Sequence, residues 1–161
     1  MIVLNMKIAG KDGGPMKLKR GMGPIMKRTL VDAGRFWHRL ILRIHFSSRA
    51  RTLYSHRKRT RHWMAAKKRI TRMVYPIDNL LTGKTKRLVS HAPSITGTSR
   101  MVRVRMTAPS YIKKWQADEI TRVSTRDRAR IVARVERNLN KHAAQLVNRR
   151  QRRDCRGRVT T

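Results

Sequence analysis

Hydrophobic and polar positions alternate most regularly between Arg100 and Thr107. Val102, Val104 and Met106 fall on one side, and Met101, Arg103 and Arg105 on the other. A period of two marks a strand with one buried face. Ile95 precedes the turn residues Thr96, Gly97, Thr98 and Ser99, so the stretch reads as a β-hairpin. It belongs to a longer unit, Tyr75–Tyr111, in which Pro76 gates a turn and a short basic segment leads into the hairpin. Gly83 and Gly97 are assigned turn duties, on the expectation that positive φ excludes a side chain there.

Helical periods flank this unit. From Pro24, a residue suited to the first helical position, Met26, Leu30, Ala33, Trp37, Leu40 or Ile41, and Ile44 recur at intervals of three and four. The pattern predicts an amphipathic helix of about five or six turns. Phe36 and Trp37 are read as core residues rather than a base-stacking platform, because they fit the apolar series. At the other end Ile131 or Val132, Val135, Leu139, Ala143 and Leu146 form one seam. Ser124 or Thr125 caps this second helix, with Asp127 in capping-box register after Ser124. The expected core therefore includes Trp37, Val102, Val104, Val135 and Leu139.

The remaining segments are shorter. Ile2, Leu4, Met6 and Ile8 alternate, so Met1–Ala9 reads as a strand, and Gly10–Gly23 as a flexible connection. Phe46–Arg61 reads as a basic arm and His62–Arg72 as a short helix with Trp63, Ala66 and Ile70 along one side. Tyr111–Trp115 is a connecting piece, and Glu119–Val123 a strand. The expected division is residues 1–23 as strand and glycine-rich segment, 24–148 as one α+β domain, and 149–161 as a disordered basic tail. The fold expected is a small antiparallel sheet, its central hairpin covered by an N-terminal and a C-terminal amphipathic helix.

Charge changes this picture most. The chain of 161 residues carries 41 lysines and arginines against eight acids, a formal net charge of +33. Such a chain repels itself unless an anionic surface lies nearby. No apolar run approaches the roughly 20 residues of a membrane-spanning helix. The single Cys155 excludes an intrachain disulfide and a multi-cysteine zinc site.

Candidate chemistry is sparse. Gly83–Thr85 matches the end of a phosphate-binding loop, but Asp78 stands where that motif needs its first glycine. The six histidines pair with no carboxylate at a metal-ligand spacing. Asp127 and Glu136 read as partners of nearby arginines. The chain is therefore read as non-enzymatic, without metal or cofactor. Arg57, Lys58, Arg59 and Arg61 form a strip with Tyr54 and Trp63 as aromatic punctuation; a phosphate-contacting surface and a solvated face fit equally well. Arg100, Arg103 and Arg105, on the hairpin's polar side, are candidates for contacts with a neighbouring subunit or nucleic acid.

Several features then stand in a set order: YSHRKRTRHWMAAKKR, a proline followed by LLTGKTKRLV, a hairpin ending in APSYI, and DEITRVS leading into an arginine-rich helix. In this order the chain resembles the neck or tail-completion proteins of tailed bacteriophages, over about Tyr54–Leu146. The corresponding residues are Pro76, Leu80, Leu81, Thr82, Gly83, Arg87, the strand Met101–Met106, Pro109 and Tyr111. The resemblance implies an α+β virion subunit, made in the host cytoplasm, that forms a homo-oligomeric ring, typically six-fold, where tail meets head. It implies head-closure or adaptor and tail-tube proteins as neighbours, and a lumen that passes the phage DNA. Composition alone also fits a ribosomal or other RNA-scaffold protein with basic arms, and, more weakly, a nucleoid-type DNA-binding protein.

Overall fold

The computed structural model describes residues 1–7, 22–71 and 84–157, with side chains through residue 145 except at 71. Strand β1 (Ile2–Lys7) opens the chain. Helix α1 (Gly23–Phe36) runs through a π-helical turn, Trp37–Ile41, into α2 (Leu42–Ile44). Short helix α3 (Ala50–Tyr54) and α4 (Arg61–Thr71) follow, then α5 (Lys84–Ser90). The hairpin β2 (Ser94–Gly97) and β3 (Met101–Met106) comes next. Helices α6 (Lys114–Thr121) and α7 (Thr125–Gly157) complete the fold.

The sheet is antiparallel in the order β1-β3-β2. Ile2 pairs with Met106 and Leu4 with Val104, while Ile95 on β2 faces Val104 from the other side. Pairing in this register puts Ile2, Leu4, Val102, Val104 and Met106 on one buried face. Asn5, Arg103 and Arg105 occupy the opposite face, where Arg103 donates from Nε to Asn5 Oδ1 (3.0 Å). The alternation therefore separates core from basic surface as expected. Thr98 closes the hairpin: its N–H donates to the Met101 carbonyl (2.7 Å), and its Oγ1 accepts from the Met101 N–H (3.1 Å).

Helix α1 lies on the apolar sheet face, and α7 packs against α1. The closest approach is at Gly34, where an added Cβ would meet Ile95 and Val102 methyl carbons at 3.1 Å and Val104 at 3.2 Å. Gly97 serves the same contact from the sheet side. Its expected positive φ is not found; instead a Cβ would lie 2.8 Å from Val31 Cγ2 of α1. Gly34→Val and Gly97→Val are each expected to cost about 1–3 kcal/mol by overpacking. Urea denaturation checks this, and unchanged midpoints would contradict the seating of α1 on the hairpin.

The π turn settles the Leu40 or Ile41 alternative. Ile41 is buried with Trp37 and Leu42, whereas Leu40 is 48% exposed. The wider turn advances the helix face by one residue. It also turns His38 inward, where Nε2 lies 3.0 Å from the Val89 carbonyl of α5. Phe36 is bracketed by the guanidinium groups of Arg130 and Arg134 from α7, each 5.9 Å from the ring centroid.

Several segments differ from expectation. The Phe46–Arg61 arm contains α3, held by buried Phe46, Ala50 and Tyr54 at four-residue intervals. Glu119–Val123 is not a strand. Gln116 accepts the Lys113 N–H on its side chain (3.0 Å), starting α6, and Ile120 is buried by it. On α4, Ala66 and Ile70 are exposed and Lys67 is buried, with Nζ 4.5 Å from the Trp63 ring centroid. The long aliphatic stem of a lysine can cover an indole four residues away. The segment before the hairpin includes a helix, α5, with Thr85 and Val89 inward. On α7, Val135 and Leu139 are half-buried rather than core, and Ala143 is exposed. That helix extends to Gly157, through the stretch expected to be tail. Pro76, Leu80, Leu81, Thr82, Gly83, Gly10–Gly21 and the last four residues lie outside the described residues.

Candidate functional site

The basic strip is built onto α6 through one carboxylate. Glu119 Oε1 accepts the Arg57 backbone N–H (2.6 Å), and Oε2 accepts from Arg59 Nη2 (2.6 Å). The Arg59 and Glu119 side chains are only 6% and 2% exposed. Arg59 is therefore an internal tie rather than a phosphate contact, contrary to its assignment from sequence. The chain reaches this position by turning at Ser55, which has φ 49°. Arg122 holds the turn, donating from Nη1 to the carbonyls of Tyr54 (2.8 Å) and Ser55 (2.9 Å). A guanidinium at these carbonyls satisfies acceptors that the end of α3 leaves open.

Beneath the turn lies a buried aromatic stack. The His45 and Tyr54 rings lie 3.6 Å apart at 18°, and His56 stacks 5.7 Å from His45. Tyr54 is thus core and does not punctuate a phosphate surface. Burial, then the neighbouring His56, pushes His45 down to about pKa 3, against a smaller opposing pull from Asp127. Burial and the Asp127 carboxylate push the Tyr54 phenol up. Asp127 caps α7 as expected: its N–H donates to Ser124 Oγ (3.2 Å), whose hydroxyl donates to Asp127 Oδ2 (2.7 Å). His45, Tyr54, His56 and Asp127 are each 4% exposed or less, so solvent and substrate do not reach them. Among the described residues no three histidine, cysteine, aspartate or glutamate side chains are grouped to hold a metal.

Outside this core the strip opens into a groove of about 530 Å³ between the 57–63 segment and the start of α6. Arg57, Lys58 and Trp63 line it from the first segment, and Tyr111, Lys113 and Trp115 from the second. The Arg57 and Arg59 guanidiniums sit 5.7 and 4.6 Å from the Trp115 centroid. Arg61 is exposed but does not line the groove.

No family model, curated protein or solved structure matches this chain.

The candidate contacts thus fall into two places. Arg57, Lys58 and Arg59 lie at the groove, while Arg103 and Arg105 are on the outer sheet face and Arg100 is exposed in the hairpin turn. Sequence reasoning missed Lys113 and Trp115, on the far wall. Their signal was present: Lys113 and Lys114 directly precede Trp115, the indole outside both long apolar series besides Trp63. It also missed Glu119, whose tie to Arg59 spans 60 residues and has no local pattern. Among the described residues no helix is long and apolar enough to cross a membrane.

Proposed function

We propose that this chain is a structural subunit of a tailed-phage neck, forming a ring with copies of itself where tail joins head. The observation that carries the reading is the order of parts after α5. Strand β3, buried Pro109 and exposed Tyr111 are followed, after the short helix α6 in place of the expected strand, by a long arginine-rich helix, which supports the resemblance in its order though not in every element. Ring subunits bind head to tail through two different surfaces. The basic outer sheet face and the arginine-covered sides of α7 carry like charge, so on this reading they face acidic neighbours or DNA rather than each other.

The charge has a use in this setting. Glu119 is spent on Arg59, Asp127 on Ser124 and Asp32 on Arg35, so these acids answer the chain's own structure. The net +33 left after these acids are counted must be matched from outside. A channel that passes DNA, or acidic neighbouring rings, supplies that match.

The RNA-scaffold reading rests on the same surplus charge. One experiment separates the two: purified protein is treated with nuclease, sized by light scattering and imaged in negative stain. Virions are assayed for the chain in parallel. The neck reading expects nuclease-resistant rings and the chain in tailed particles. A monomer absent from virions that sediments with ribosomal subunits until ribonuclease is added would overturn it.

A further inference from the structure

We propose that the groove between residues 57–63 and α6 binds a single-stranded nucleic acid segment, with bases stacked on Tyr111 and phosphates on Arg57, Lys58 and Lys113. This goes beyond a role in ring assembly and does not depend on it. The first observation is Tyr111. The residue is 57% exposed, yet its hydroxyl is held 3.1 Å from Thr85 Oγ1 of α5. A large aromatic face is thus oriented and left open, which lowers the entropy lost when a flat ligand stacks on it. The second is charge. Glu119 is tied to Arg57 through the backbone N–H, not the guanidinium. Among the described residues no carboxylate lines the groove. The Arg57 guanidinium lies over Trp115, 5.7 Å from the ring centroid, a contact that does not neutralise its charge.

Aromatic rings between cations discriminate among anionic partners. Duplex bases are stacked internally and offer only backbone to such a wall. Splayed single-strand bases stack on aromatic side chains while a basic groove follows their phosphates. An acidic peptide would satisfy the cations and leave Tyr111 unused.

The test uses the full chain and a labelled oligothymidylate of about 12 nucleotides, compared by anisotropy with a mixed-sequence duplex of equal length. Tyr111→Ala should weaken oligothymidylate binding by about tenfold and duplex binding by less than about twofold, whereas Tyr111→Phe should stay within about threefold of the parent. Arg57→Ala with Lys58→Ala should weaken the oligonucleotide about tenfold or more. Arg100→Ala with Arg105→Ala removes the same charge from the hairpin and should cost about threefold or less. The proposal is overturned if Tyr111→Ala binds like the parent, or if Tyr111→Phe loses as much as Tyr111→Ala. Equal weakening by the two double variants, or equally effective competition by polyglutamate, would overturn it too, because binding would then follow net charge alone.

Discussion

Glu119→Ala is expected to lower the free energy of unfolding by about 3–5 kcal/mol, the usual cost of removing one partner from a buried ion pair. The substitution strips the carboxylate from Arg59, whose side chain is 6% exposed, and removes the acceptor of the Arg57 N–H. Solvent screening does little to soften the loss at this depth. The consequence is local as well as global. Residues 57–60 are tied to α6 by this carboxylate, so the groove wall that carries Arg57 and Lys58 should loosen with it. Glu119→Gln separates the contributions. Its amide oxygen can still accept from the Arg57 N–H, so it should lose less than the alanine variant. Combining Glu119→Ala with Arg59→Met should recover part of the loss, because the buried guanidinium that the carboxylate held is then removed with it. Urea denaturation of the four proteins gives the answer. A Glu119→Ala loss below about 1 kcal/mol would mean that the pair is solvated and the tie is not structural.

Local periodicity carried the sheet and the two long helices into view, because each declares itself within a few residues. Val102, Val104 and Met106 are buried by a period of two, and Met26, Leu30, Ala33 and Trp37 by a helical period. Phe46, Ala50 and Tyr54 were equally periodic, but dense arginine around them masked the α3 signal. Helix α6 was hidden for another reason. Its buried positions are Glu119 and Ile120, and a buried glutamate reads as surface until its arginine partner is known. The groove was half legible. Arg57 and Lys58 stood out as charge, while Lys113, Trp115 and Tyr111 came from a distant segment read as connection. Gly34, which weakens a helix on propensity alone, is explained only by the sheet lying against it.

The same buried tie and cap explain how so basic a chain keeps a folded centre. Arg59 turns inward onto a carboxylate, and Arg122, itself exposed, reaches back to two carbonyls, where hydrogen bonds offset the charge. Arg57, Lys58, Arg100 and Arg105 remain outward, where added salt lowers their mutual repulsion. Function and stability therefore draw on different arginines. Substitutions at Arg57 or Lys58 should change ligand binding with little change in unfolding midpoint.

Acidification should destabilise the protein well before its carboxylates titrate in bulk. Burial against Tyr54 and His56 depresses the folded-state pKa of His45 to about 3, from 6.5 when unfolded. The unfolded chain therefore binds the proton first. The contribution is fully present above pH 6.5 and is lost as pH falls toward 3. At about 1.4 kcal/mol per pH unit across that window, the loss should reach about 2 kcal/mol by pH 5. The groups facing His45 set the sign. Asp127 favours the imidazolium and His56 opposes it, while Arg126 and Arg130 lie close enough to act on the neighbouring Tyr54. Desolvation outweighs the Asp127 attraction, so the neutral ring is the folded form. His45→Phe keeps a ring against Tyr54 and removes the titration, so the stability difference between pH 7.5 and pH 5 should shrink by more than half. Urea midpoints at the two pH values decide it. A parent protein equally stable at both would place His45 in contact with water and end the account of this stack as a sealed, neutral core.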